Sequence, residues 1–195
     1  MSLNVGDTAP NFELPDTELK LRTLDEFKGK KIVLTFIVAA SSPVCETELC
    51  TLRDSWQEIA DTGAQIVAIS NDGPFANKAF AEKHNFNFPL LGDYNSKTIS
   101  DYDILRKDLL HIKYYNAAKR SVFVIMEDGK IGYKWVSEDP LKYFLVIEIY
   151  YTPVLVEVGV LRDPSFVLKL LRQKLRFVIL LHDPEGETLE SSVKK

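Results

Sequence analysis

Cysteine is nearly absent from this chain of 195 residues: only Cys45 and Cys50 occur, five positions apart. A secreted scaffold stapled by disulfides carries more cysteines, spread along the sequence, so this close pair argues for chemistry rather than for stapling. Histidine is almost as scarce. His84, His111 and His182 stand isolated, and a zinc site built on the cysteines lacks two further ligands at usable spacing. Each histidine reads as a surface or packing residue. Basic surplus is missing too: 24 Lys and Arg face 28 Asp and Glu, for a net charge of −4 and an isoelectric point near 5.5. Nothing is left over to neutralise a phosphate backbone or an anionic bilayer, so neither nucleic acid nor membrane is an expected partner. Residues 1–15 show no charged stretch followed by an apolar one, and without that secretory pattern a cytoplasmic location is expected. There is no internal repeat and no low-complexity segment.

What is present suits a folded soluble domain: 46% hydrophobic and 27% charged residues, over a length that buries a core in one domain. Residues 31–37, Lys-Ile-Val-Leu-Thr-Phe-Ile, follow a turn signal at residues 28–30 and read as a buried central strand. The period then changes. From Cys45, apolar side chains recur at Leu49, Leu52, Trp56 and Ile59, the spacing of an amphipathic helix. Ser42 is a good N-cap and Pro43 fits the first helical position, which puts Cys45 in the first turn. Further strands are predicted over 65–70, 88–91, 121–126 and 130–136, the last two joined by a turn at Asp128-Gly129, with helices over 75–83 and 96–102. The expected class is α/β: a mixed central sheet with helices on both faces.

A thiol reacts as its thiolate, and a helix N-terminus favours that anion through unpaired N–H groups and the dipole. Cys45 occupies such a place, and Ser42 is positioned to bring a hydroxyl near the sulfur or near a bound oxygen. On spacing alone, Cys45 is equally well read as a small buried hydrophobe with Cys50 an incidental neighbour. Five residues of helix separate two Cα atoms by about 7.5 Å and rotate them by about 140°, whereas a disulfide needs about 4.4 to 6.8 Å. The two cysteines cannot pair on an intact helix; pairing requires it to unwind locally. An arginine opening a strand, such as Arg120, is ordinarily a solvated end or an ion-pair partner. Glu48 reads as a helix-surface charge or a group orienting the arginines, and Trp56 and Trp135 as core.

Three segments bring a resemblance. Residues 4–14, Asn-Val-Gly-Asp-Thr-Ala-Pro-Asn-Phe-Glu-Leu, resemble the opening of the peroxiredoxin (AhpC/TSA) family. Residues 42–50, Ser-Pro-Val-Cys-Glu-Thr-Glu-Leu-Cys, resemble its active-site helix, in the peroxiredoxin Q or bacterioferritin comigratory protein branch. Residues 119–125, Lys-Arg-Ser-Val-Phe-Val-Ile, are similar to the strand carrying the family's active-site arginine, and residues 133–136 to the hairpin after it. The resemblance covers roughly residues 3–140. It implies a thioredoxin-like fold and a thiol-dependent peroxidase acting on hydrogen peroxide and organic hydroperoxides. Cys45 would be the peroxidatic nucleophile, with Arg120 and Ser42 orienting the peroxide. Cys50 would resolve the sulfenic acid into an intramolecular disulfide, which a thioredoxin-like dithiol protein reduces. No metal or organic cofactor is implied, and a monomer or weak homodimer is expected.

Two departures accompany the resemblance. Val38 stands where the family has a proline seven residues before the nucleophile, and Ser42 replaces the commoner threonine, so the loop over residues 36–42 is expected to be less constrained. After a domain over residues 1–140, residues 141–195 form an atypical extension, strongly apolar and aromatic over 143–161 but interrupted by Glu148, Pro153 and Glu157. Those carboxylates argue for strands rather than a membrane span. The extension is expected to pack on the same domain, with a closing helix over 163–176. Two other functions share these residues: a catalytically impaired binding or holdase protein on the same fold, and a thiol–disulfide oxidoreductase. The latter usually offers C-x-x-C instead of this spacing.

Overall fold

The structure, a computed structural model, describes residues 3–142. The strands and helix expected over 143–176 lie outside the described residues. In chain order the elements are β1 (Glu13–Pro15), β2 (Leu21–Thr23), β3 (Lys31–Phe36), α1 (Pro43–Asp54), α2 (Trp56–Asp61), β4 (Ala64–Ser70), α3 (Pro74–His84), β5 (Leu90–Gly92), α4 (Lys97–Asp101), β6 (Leu105–Arg106), β7 (Ala117–Ala118), β8 (Ser121–Ile125) and β9 (Ile131–Val136).

The central sheet has the order β5-β4-β3-β8-β9. Strands β3, β4 and β5 run parallel, while β8 pairs antiparallel with β3 and β9 antiparallel with β8. This is the mixed sheet expected from the sequence, and β3 lies at its centre because it is apolar on both faces and buried from Ile32 to Phe36. Alternation divides the work of that strand. Ile32, Leu34 and Phe36 join a core with Val67, Ile69, Ile99, Tyr102 and Phe123. Val33 and Thr35 face the opposite side, where the Thr35 hydroxyl donates to Glu48 of α1. Helices therefore cover both faces.

In the first core Phe36, Tyr102 and Phe123 form a triangle of rings, with centroids 5.0, 5.8 and 5.1 Å apart. The Tyr102 hydroxyl donates to the Pro10 carbonyl at 2.9 Å, tying the N-terminal segment over this core. Close approach explains one glycine: a Cβ on Gly92 would lie 2.7 Å from the Asp72 carbonyl oxygen.

Several local expectations need correcting. The helix predicted to run through Ile59 breaks at Ser55, whose φ of −98° and ψ of 8° leave the helical region. Strand β5 begins at Leu90 instead of residue 88, since Pro89 has no N–H for the ladder; its carbonyl instead accepts from the Ala68 N–H at 2.9 Å. Trp56 and Trp135 are half-buried rather than core, one opening α2 and the other on the edge strand β9. The β1-β2 and β6-β7 pairs are too short to carry an alternation signal. We predict that Phe123→Ala, which empties the centre of the ring triangle, lowers unfolding stability by about 3–5 kcal/mol in urea titration.

Candidate active site

The site is built where the first turn of α1 meets the start of β8. Ser42 caps α1, its Oγ accepting the Cys45 N–H at 3.3 Å, and Pro43 occupies the first turn as expected. Cys45 is thereby fixed one turn into the helix, and it is fully buried. Arg120 lies immediately before β8, its backbone carbonyl accepting from the Ser137 N–H at 2.9 Å. Its side chain is also buried, 1% exposed, which excludes the solvated strand end as a description of this arginine.

A buried guanidinium needs partners for both its charge and its donors. Arg120 Nη1 donates to Glu48 Oε2 in a very short ion pair. Its Nη2 donates to Cys45 Sγ at 3.4 Å and to the Pro140 carbonyl at 3.1 Å. Its Nε is buried with no hydrogen-bond partner among the described residues, so one donor of the fork is unspent. Cys45 and Glu48 are three residues apart and share the buried face of α1. The helix thus presents sulfur and carboxylate together to one arginine. Glu48 is held from the sheet side by the Thr35 hydroxyl at 3.4 Å. Burial pushes the Glu48 carboxyl up to about 7, against the opposing pull of the Arg120 charge and the hydrogen bonds from Arg120 and Thr35.

The loop ahead of the helix is pinned along its length. Ile37 N–H donates to the Ile69 carbonyl at 2.9 Å, Ala40 N–H to Asp72 Oδ2 at 2.6 Å, and Ser42 N–H to the Ala39 carbonyl at 3.4 Å. Val38 is buried, and Ser41 adopts a left-handed φ of 62°. The slack expected from Val38 is thus countered by the Asp72 carboxylate, a residue nothing in the sequence marks.

The structure brings Cys45, Arg120 and Ser42 together but not Cys50, which lies round the helix, its Sγ 3.6 Å from His84 Nδ1 on α3. Both cysteines are free and α1 is intact between them. Of the two readings open for Glu48, burial and the pairing with Arg120 exclude the surface charge and agree with the group that orients the arginine. Thr35 gives no signal in the sequence beyond its place in an apolar strand. Among the described residues no group of three His, Cys, Asp or Glu side chains is placed to hold a metal ion.

Comparison with known proteins follows the same residues. The model of the AhpC/TSA family matches residues 5–134. Peroxiredoxin Bcp of Escherichia coli is 34% identical over 129 residues, covering 66% of this chain and 83% of that protein. Peroxiredoxin Bcp of Bacillus subtilis is 34% identical over 135 residues, 69% of this chain and 86% of that protein. The crystal structure of peroxidoxin BcpB from Mycobacterium tuberculosis superposes with a TM-score of 0.68 at 31% identity, covering 83% of this chain and 99% of its own.

The raised Glu48 carboxyl sets a sign for stability against pH. A group whose folded pKa lies above its unfolded value contributes stability that is present below the unfolded value and lost as pH rises through the folded one. Relative to Glu48→Gln, the wild-type protein is therefore predicted to lose stability between about pH 4.5 and about pH 7, measured as the urea midpoint across that window.

Proposed function

The chain belongs to the AhpC/TSA family, and from that premise we infer that it is a thiol-dependent peroxidase of the peroxiredoxin Q type, with Cys45 as its nucleophile. One observation carries the assignment of residues: the 3.4 Å contact between Arg120 Nη2 and Cys45 Sγ, beside the buried Arg120–Glu48 ion pair. A guanidinium donor aimed at a sulfur favours the thiolate as acceptor, and it stays in place for the charge that develops on oxygen during attack.

The Cys45 thiolate attacks one oxygen of the hydroperoxide, an S–O bond forms and the O–O bond breaks. The leaving oxyanion gains a proton and departs as water or alcohol. Arg120 supplies donors to both sulfur and oxygens, with the unspent Nε in reserve. The Ser42 oxygen already accepts the Cys45 N–H, which leaves its hydroxyl hydrogen as the donor offered to a peroxide oxygen. Glu48 holds the guanidinium plane. Cys45 is fully buried, so a hydroperoxide reaches its sulfur only after a local opening.

The resulting sulfenic acid condenses with Cys50 after α1 unwinds, because the two residues lie on different faces of the same helix. A dithiol protein of the thioredoxin kind then reduces the disulfide by exchange. Among the described residues no helix is long and apolar enough to cross a membrane. We place the reaction in the cytoplasm, carried out by a monomer or weak homodimer.

Hydrogen peroxide consumption coupled to a dithiol reductant is expected for the wild-type protein and is expected to fall to the uncatalysed level in Cys45→Ser. Equal activity in the two would overturn the assignment. Cys50→Ser is predicted to form the Cys45 sulfenic acid but no intramolecular disulfide, read by mass spectrometry under non-reducing conditions. Arg120→Gln is predicted to slow the peroxide step by about 10²- to 10³-fold in stopped-flow measurement.

A further inference from the structure

The resolving cysteine has a neighbourhood of its own. Cys50 Sγ lies 3.6 Å from Nδ1 of His84, the last residue of α3. On the other side of that ring, Nε2 lies 3.5 Å from Glu46 Oε2 and has no hydrogen-bond partner among the described residues. A carboxylate beside Nε2 favours the tautomer with the hydrogen there, leaving Nδ1 as the acceptor facing sulfur. The ring has little freedom to turn away. It stacks on Phe86 at 5.6 Å and meets the edge of Phe80 at 5.0 Å, while its own carbonyl accepts from Arg53 Nη1 of α1 at 2.6 Å. Glutamate, imidazole and thiol thus stand in line.

We propose that His84 is a catalytic base for the resolving step, its Nδ1 taking the Sγ proton of Cys50 while α1 is still folded and Glu46 orienting the ring. The proposal rests on the peroxidase reading above. Burial pushes the Cys50 thiol up; Glu46 and Asp54 reinforce that shift, and Arg53 and Lys83 oppose it, so an unaided Cys50 is a poor nucleophile at neutral pH. The charges facing the ring are the Glu46 carboxylate from α1 and, on its own helix, Lys83, whose Nζ is also 3.5 Å from Glu46 Oε2. The carboxyl end of α3 adds the negative pole of its dipole at the place where the imidazolium forms.

The balance of the step is simple. His84 takes the proton, and the Cys50 thiolate then leaves with the unwinding helix and attacks the sulfur of the Cys45 sulfenic acid. The S–S bond forms as the S–O bond breaks. Hydroxide leaves and gains a proton from solvent to become water, while His84 returns its proton to solvent. Cys50 is oxidised and the Cys45 sulfur reduced, with no external oxidant.

The test is rapid-quench alkylation with mass spectrometry after a single peroxide addition, on wild type and His84→Gln, from pH 6 to 9. It follows sulfenic acid formation at Cys45 and disulfide formation as two phases. About 3% of an ordinary thiol of pKa 8.5 is ionised at pH 7 and Cys50 is held above the ordinary range, so the variant is expected to form its disulfide at least about tenfold more slowly there. The gap should narrow as pH rises toward 9, with the first phase equal in both throughout. A histidine that merely latched α1 to α3 would, when removed, leave the second phase equally fast or faster with the same pH dependence, and that result overturns the proposal. If His84→Gln does not fold, the wild-type second phase decides. It should already be fast at pH 7 and change little up to pH 9, and a phase that follows the ionisation of an ordinary thiol over that range overturns the base. Absence of the first phase in wild type would sink the peroxidase reading and this step with it.

Discussion

A guanidinium taken out of water organises this protein's candidate active site. Arg120 is among the largest fully buried side chains, and its charge is tolerable only because Glu48, Cys45 and the Pro140 carbonyl converge on it from different parts of the chain. Each partner then depends on something else. Glu48 needs the docked face of α1 and the Thr35 hydroxyl of β3. Cys45 needs the Ser42 cap. The Arg120 backbone needs β8 antiparallel to β3, so that the arginine emerges near the end of β3 from which the loop leads to α1. Losing one partner leaves a buried charge unmatched, which couples the fold's integrity to the chemistry at the sulfur.

The helix that serves this cluster is asked to do two incompatible things. Folded, it holds sulfur against guanidinium on one face and the second thiol against an imidazole on the other. To join the thiols it has to come apart between them. Thr47 and Thr51 each donate a side-chain bond back to the carbonyl four residues earlier, at 3.0 and 2.8 Å, contacts that slightly destabilise and bend a helix. The segment ends at the Ser55 break instead of running on into α2. Both bonds lie in the stretch of α1 from which the two thiols project, the stretch that has to open for them to meet.

Much of this was legible before any coordinates. The strand–loop–helix around Cys45 follows from an apolar β-rich run, an N-cap, a proline at the first helical position and a change of period. The impossibility of a disulfide on an intact helix follows from residue spacing alone. The burial of Arg120, the role of Thr35, the Asp72 clamp on Ala40 and the approach of His84 to Cys50 were not legible. Those contacts span roughly 13 to 75 positions in sequence, and local pattern carries no information about such pairs. The broken helix and the half-buried tryptophans show the opposite error, where a local pattern was extended past the point at which packing took over.

By itself, then, the sequence determined the immediate frame of the candidate nucleophile: a cysteine in the first turn of a capped helix, a second cysteine unable to reach it, and a mixed sheet beneath. Those are properties of neighbouring residues and of backbone geometry. Only the tertiary structure decided which charges surround each sulfur, because an ion pair or a proton acceptor is chosen by the faces that meet when sheet and helices pack. A residue's own neighbours in the chain do not specify that meeting.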